Sequence, residues 1–570
     1  LGDIAHPLEV NKMEVDEGTL FLLRRARLLS EEAELASASE EDVDVARAIV
    51  AETDGLPLAL DQAGAYIEEK QRTLEEYLEL FRAYKAELLK IRGELAADHV
   101  SVTVTFNLAF EKVAEKSAAA ADLLRVCAFL APNEIPEEIF SEGGEVLGDA
   151  LSQAAQNTLE LIEAIAEATR FSLISRNPQS KTLTIHRLVQ EVLRAEMDEA
   201  EQRQWTSGVI EAVEKVFPSA SDPKNWVQCD RLATHAQVAA QLMTDYELSF
   251  ETAAKLLNAT GYYFFNAQGR YEAAEPLCIQ VLEMNQQLLG QSHPQVADSL
   301  NNLAALYSTQ GRYKEAEPLY QQALEMNQQF LGKNHSQIAH SLDSLAELYR
   351  VQGRYEEAEP LFIQALEMRQ QLLGKSHPNV AHSLDSLALL YESQRRYEEA
   401  EPLFIQALEM FRQHLGQSHP NVAGSLNNLA LLYKSQGRYE AAESLYQQAL
   451  EISQQLLGKS HPHVAIGLNN LAMLYSAQGR YEAAEPVFIQ ALEMRQQLFG
   501  QSHPYVANSL NSLAELYQAQ RRYEDAKPFY QQALTICEQL LGPEHPTTQT
   551  VKRNLQILSL QIFLERKGSV

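Results

Sequence analysis

Seven histidines have a type and spacing that could do chemistry: His293, His335, His377, His419, His461, His503 and His545 recur every 42 residues. Imidazoles are common zinc ligands, so such a row invites a metal-array reading. Geometry argues against it. Stacked helices lie roughly 8–10 Å apart, whereas ligand nitrogens must sit about 2 Å from one shared ion. One histidine per repeat therefore reads as a turn and cap residue, in most copies directly before a proline such as Pro294 or Pro378. His186, in Ile185-His186-Arg187-Leu188-Val189, stands outside the row, where a strand-like run meets the helix expected over 187–197. Capping that helix is its simplest role. The tyrosine columns headed by Tyr307 and Tyr313 have helical core spacing, and no basic track accompanies them that would let bases stack there. No GxxxxGK[ST] phosphate loop occurs, and no acidic strand end marks a magnesium site. Without amides to cradle phosphates and a lysine to neutralise them, this chain is not expected to hydrolyse a nucleotide by itself.

Composition bounds the alternatives. With 570 residues and 45% apolar content the chain exceeds a single ordinary core. A formal charge of −31 argues against general attraction to nucleic acid or anionic lipid. No apolar run reaches the 18 or so residues of a membrane span. Cys127, Cys229, Cys278 and Cys537 are scattered without a CxxC pair, which fits a reducing, cytoplasmic setting. The first residue is leucine, which predicts a piece of a longer product.

The elements around these residues come next. Ile4 to Val10 reads as a short strand, and Asp16 to Leu29 as an amphipathic helix capped by Asp16. Helices follow over 41–53, 58–70 and 73–91, the first ending at Asp54-Gly55 with Pro57 beyond. Helical periodicity returns over 102–114, 118–130 and 158–168. Between 171–175 and 182–186 lie two strand-like runs joined by Asn177-Pro178-Gln179, a turn signal. Helices followed by such a two-stranded wing suggest a winged helix. A helical connector covers 201–251.

Gly55-Leu56-Pro57-Leu58-Ala59-Leu60, followed by Asp61-Gln62-Ala63-Gly64-Ala65-Tyr66-Ile67, resembles the GLPLAL segment of NB-ARC proteins, the STAND class of signalling NTPases. Residues 1–29 resemble the last strand and helix of their nucleotide-binding domain. The resemblance implies that Pro57 touches an adenine and that His186 contacts the β-phosphate of ADP. A protonated imidazole would add a donor and a charge there. It also implies ADP or ATP as a cofactor held together with an upstream domain, none for this chain alone, and oligomerisation on activation.

From 252 onward one block dominates. Asn301 to Tyr313 returns at Asp343, Asp385, Asn427, Asn469 and Asn511, and a degenerate copy ends in Gln268-Gly269-Arg270-Tyr271. Each repeat reads as two helices. The first carries Leu300, Leu303, Ala304 and Tyr307 on one stripe, and the second carries Ala316, Leu319, Tyr320, Ala323 and Leu324. Neither buries its stripe alone; stacking does. The pattern resembles a tetratricopeptide (TPR) repeat lengthened to 42 residues, and its LNNLA, GRY, AEPL and LG-x2-HP blocks resemble kinesin light chain. Arg395 and Arg521 replace the glycine that ends a first helix, in a left-handed conformation costing about 1–2 kcal/mol for other residues.

The expected fold is mainly α: an ARC-type helical subdomain and a winged helix, then a right-handed TPR solenoid. The expected boundaries are 1–30, a nucleotide-domain remnant; 31–97, the GLPLAL subdomain; 98–200, the winged helix; 201–251, the connector; 252–545, seven repeats; and 546–570, a capping helix and tail. Positions that change while the rest stays fixed point to recognition. By analogy with other TPR arrays they line a concave groove: the Asn301, Asp343, Asp385, Asn427, Asn469, Asn511 column, the apolar Leu389, Leu431 and Met473, and the cationic Arg350 and Lys434. An asparagine/aspartate ladder suits an extended peptide backbone, and an apolar strip with polar edges suits a partner. The reading is the regulatory, ligand-sensing part of a STAND protein. It binds a protein or peptide through its TPR array and gates an ADP/ATP switch through its winged helix, with no catalytic residue, metal, nucleic acid or membrane. A pure adaptor resembling kinesin light chain is the alternative, and a winged-helix DNA regulator a more distant one.

Overall fold

The structure, a computed structural model, describes residues 12–53, 55–92, 100–332 and 335–568. It is mainly α-helical and divides into two compact units. One comprises Leu1–Ser219 with Asn225–Leu256, the other Ala220–Lys224 with Leu257–Val570.

The first unit opens with α1 (Val15–Arg25), α2 (Glu40–Glu52), α3 (Pro57–Lys70) and α4 (Leu74–Arg92). The strand expected over 4–10 lies outside the described residues. Asp16 does not cap α1: the cap position is Glu14, without a side-chain bond, and Asp16 sits in the first turn, paired with Arg47 at 3.0 Å. The α2–α3 corner requires its glycine. Gly55 has φ +66°, and a Cβ there would lie 2.6 Å from the Met13 carbonyl oxygen. Pro57 then occupies the first turn of α3, where its missing N–H leaves nothing unpaired.

After α5 (Val100–Lys116) and α6 (Ala118–Cys127) come β1 (Ile135–Pro136), α7 (Glu138–Ser141), α8 (Asp149–Ala155) and α9 (Thr158–Thr169). β2 (Ile174–Asn177), β3 (Thr182–Ile185), α10 (Arg187–Glu196), α11 (Glu199–Val216) and α12 (Trp226–Asp245) complete the unit. The expected hairpin is part of a three-stranded antiparallel sheet in the order β1-β3-β2. Buried Gln190 fixes α10 by donating 2.8 Å bonds to the carbonyls of Cys127 and Leu130, at the otherwise open end of α6. Arg25 ties three segments together: Nε donates to Asp61 at 2.7 Å, Nη1 to Glu68 at 2.7 Å and Nη2 to Ser172 at 3.0 Å.

The second unit repeats one motif. Its helix pairs, called A and B, are Glu251–Tyr262 and Tyr271–Leu289 (repeat 1), Pro294–Thr309 and Tyr313–Phe330 (2), Ser336–Val351 and Tyr355–Leu373 (3) and Pro378–Ser393 and Tyr397–Leu415 (4). Pro420–Ser435 and Tyr439–Leu457 (5), Pro462–Ala477 and Tyr481–Phe499 (6) and Pro504–Ala519 and Tyr523–Leu540 (7) follow, closed by the helix Pro546–Gly568. Each row histidine is an N-cap: its Nδ1 accepts the N–H two residues on, at 3.2 Å for His293 and 3.0 Å for His503. Among the described residues no group of three or more His, Cys, Asp or Glu could hold a metal.

Register between repeats is set by a clamp. Arg354 lies 4.0 Å over the Tyr349 ring and donates to Glu317 of the preceding repeat at 2.7 Å. Tyr349 donates its hydroxyl to the same carboxylate at 3.0 Å. The hydrogen bond from Arg354 leads in holding Glu317 below the usual carboxylate range. Arg396 on Glu359 and Arg522 on Glu485 repeat the arrangement at 2.7 and 2.9 Å. Thus the GRY arginine and the AEPL glutamate are partners across a repeat boundary.

The solenoid also meets itself. A Cβ on Gly269 would lie 2.8 Å from His503 Nε2, and one on Gly311 would lie 2.8 Å from Pro546. His545 Nε2 stands 2.8 Å from the Thr309 carbonyl, 236 residues away in sequence. His503 is enclosed, stacked 4.3 Å from Phe499, and burial lowers its pKa to about 4.

Candidate functional site

Two places gather the residues singled out from the sequence. The first is a cleft of about 660 Å³ lined by Leu58 and Asp61 of α3, Asn133 ahead of β1, Ser172 ahead of β2, and His186 and Arg187 where β3 gives way to α10. Leu58 reaches this cleft, while its neighbour Pro57, half-buried at the start of α3, is not part of the lining. His186 is the N-cap of α10, as the simplest reading of its position has it: Nδ1 accepts from the Leu188 N–H at 3.2 Å. That bond assigns the proton of a neutral ring to Nε2, which leaves Nε2–H as a donor. Desolvation, then neighbouring Arg187, lowers the His186 pKa, with Glu191 opposing. The neutral form therefore prevails at neutral pH. The cleft thus offers an imidazole N–H and a guanidinium beside one carboxylate, Asp61, already engaged by Arg25.

The second place is the A-helix face of the solenoid. The asparagine/aspartate column is more deeply set than a groove-lining role requires: Asn301 is 6%, Asp385 8% and Asn469 9% exposed. Asn301 and Asp385 reach the next A helix, and Asp343 the B helix of its own repeat. Asn301 donates to Ser341 at 3.3 Å, Asp385 accepts from Ser425 at 3.1 Å, and Arg369 pairs with Asp343. Asn511 accepts from Asn554 of the closing helix at 3.2 Å. Asn427 lies half-buried with Oδ1 unpartnered.

The second column is more open. Leu389 and Leu431 are half-buried and Met473 is 36% exposed. Arg350 is engaged by Glu347 and by Ser393 at 3.1 Å. Lys434 is half-buried, and burial lowers its pKa against the opposing pull of Glu392 and Glu515. A cavity of about 410 Å³ opens on this face among the A helices of repeats 4, 5 and 6, with Asp385, Leu389 and Asn427 in its wall. Sequence reasoning missed Gly424, His382 and Phe411, which shape it. Two of them carried a signal: Gly424 stands where other repeats carry Asp298, His340, His382 or Ile466, and Phe411 stands where the preceding repeat carries Arg369.

Comparisons with known proteins divide along the same lines. Residues 239–329, 334–413 and 421–497 match a tetratricopeptide-repeat family, and residues 506–547 match a second one. Residues 108–202 match a domain of unknown function (DUF7779). A nucleotide-binding leucine-rich repeat (NLR)-like protein of Hyaloscypha variabilis is 34% identical over 269 residues, 45% of this chain, and the match spans only 26% of that relative's length. Among solved structures, the kinesin light chain nearly identical TPR-like repeats of Podosopora anserina are 26% identical over 36% of this chain and 97% of theirs, with a TM-score of 0.31. A STAND protein with a tetratricopeptide-repeat sensor from Pyrococcus horikoshii is 15% identical over 89% of this chain and 69% of its own, with a TM-score of 0.48. In the described residues no helix is long and apolar enough to cross a membrane. With repeat matches over about half of its length, the chain belongs to the tetratricopeptide-repeat proteins.

Proposed function

We propose that this chain is the sensing and relay part of a STAND-type signalling protein. The solenoid takes a protein or peptide partner on its A-helix face. The first unit supplies one wall of an ADP/ATP pocket, whose phosphate loop belongs to a separate nucleotide-binding domain. The observation that carries this reading is the cleft that brings Leu58 and Asp61 of the GLPLAL helix to His186 and Arg187. A helix opened by Pro57 flanks an apolar contact suited to a base, while the Nε2–H of His186 and the Arg187 guanidinium are donors suited to phosphate. The cleft's described lining supplies an apolar contact at Leu58 and donors at His186 and Arg187, which supports a nucleotide's base and phosphate ends. A nucleotide would supply charge at the His186 end, and the chain's part is to hold it and to change conformation between its two states.

The test is ADP retention by this chain combined with a phosphate-loop domain of the same protein, read by chromatography of the nucleotide released on denaturation. His186→Ala should lower retention at least tenfold with circular dichroism unchanged. Retention equal to the parent's would remove His186 from the pocket and leave the adaptor reading, which the kinesin-light-chain-like repeats favour. The chain alone is expected to show no ATP turnover.

A further inference from the structure

Among the described residues, six glutamates of the repeats, Glu275, Glu317, Glu359, Glu401, Glu443 and Glu485, are each paired with an arginine of the next repeat, and Asp385 has no such cation. In the recessed column Asp343 is paired with Arg369. One repeat later the acid is kept, as Asp385, but the position of its cation is Phe411. Asp385 is 8% exposed and its hydrogen-bond partner is the Ser425 hydroxyl, at 3.1 Å. Phe411 is covered instead by His382, edge-on at 4.8 Å.

The space beside this acid is open for a structural reason. Gly424 lies inside helix A of repeat 5, where glycine costs about 1 kcal/mol relative to alanine. A Cβ there would meet nothing within 4 Å. The resulting cavity of about 410 Å³ has Asp385 and Asn427 in its polar lining and Leu389, Phe411 and Ile466 among its apolar lining. Asn427 Oδ1 has no hydrogen-bond partner. Two acceptors and an apolar wall, in a chain of formal charge −31, suit a long side chain ending in a planar, multiply donating cation.

We propose that this cavity is a specificity pocket for an arginine side chain of the partner. The guanidinium donates to Asp385 and Asn427, and its methylenes lie along Leu389, Phe411 and Ile466. The proposal rests on the reading of the solenoid as a peptide-binding array, and it names the residue class that array selects. The partner's arginine takes the place that Arg369 fills for Asp343.

A random 12-residue peptide library displayed on phage, selected on the full chain, tests it. Two variants serve as counter-selections: Asp385→Asn, which keeps the shape and removes the charge, and Gly424→Leu, which fills the cavity from a position with free space and improves helix propensity. Enriched peptides should carry one arginine at a fixed position. Synthetic copies should lose at least tenfold in affinity with either variant, and as much when that arginine becomes norleucine. Enrichment of peptides without a basic residue, or undiminished binding by both variants, overturns the arginine pocket and leaves the peptide-binding array standing. Failure of the parent chain to enrich any peptide overturns both.

Discussion

Asp385→Asn is expected to stabilise the solenoid at pH 8 and to flatten its dependence on pH. Burial pushes the Asp385 carboxyl up from 3.8 to about 7, and the bond from Ser425 opposes this only in part. A raised carboxylate pKa means that the folded chain holds the proton more tightly than the unfolded chain. The contribution to stability is therefore complete below about pH 4 and lost as pH rises toward 7. A shift of about three units corresponds to about 4 kcal/mol as an upper bound. Hydration through the cavity mouth reduces this, and about 2 kcal/mol is expected at pH 8. Asparagine already occupies this column at positions 301, 427, 469 and 511, and it keeps the acceptor for Ser425. The assay is urea denaturation by circular dichroism between pH 4.5 and 8. Hydrogen exchange in helix A of repeat 4 accompanies it, because arrays can unfold piecemeal. Parent and variant should be closest at pH 4.5, diverge progressively as pH rises toward 7 and level off beyond it, with the variant the more stable. A variant that is less stable at pH 8, or that keeps the parent's slope, would refute the assignment of a buried, uncompensated acid.

Three further perturbations probe the repeat chemistry. Arg396→Ala removes a guanidinium stacked 4.0 Å over Tyr391 and bonded to Glu359 at 2.7 Å. A loss of about 1–2 kcal/mol is expected, with coupling to Glu359→Ala in a double-mutant cycle; zero coupling would mean that the clamp is ornamental. Arg395→Gly and Arg521→Gly relieve left-handed residues, both at φ +60°, and each should raise the urea midpoint by an amount equivalent to about 1 kcal/mol. An unchanged midpoint would show that these turns carry no strain. Gly311→Ala and Gly353→Ala impose similar backbone strain, at φ +72° and +74°, but only the first brings a methyl against Pro546. The first should cost more and should speed exchange in the 542–547 loop; equal costs would deny the self-contact of the solenoid.

How much of this the sequence carried differs by scale. The strict period located the helix pairs, and Pro294 and its equivalents marked where the A helices begin. The Arg–Glu clamp was also printed in every copy, as the constant separation of 37 residues between Arg312 and Glu275. It escaped because helix-surface reasoning looks three or four residues away. The Asn301-to-Asn511 column was read as groove-facing from its place beside the apolar stripe. The structure turns Asn301 and Asp385 toward the neighbouring A helices, where Ser341 and Ser425 supply polar partners. β1 and α8 were too short, at two and seven residues, for periodicity to register them. The His186 cleft was legible only as two distant motifs, since nothing local shows that β3 ends beside α3.

The contact between Thr309 and His545 has a consequence for how this gene can change. Near-identical 42-residue units are prone to unequal recombination, and an open array tolerates the gain or loss of a unit. Here, deleting one internal unit would remove the spacing that lets the turn after repeat 2's first helix meet the loop before the closing helix. Unit number is thereby tied to closure as well as to length. Gain or loss of one unit is expected to cost this contact, even where the units themselves are interchangeable.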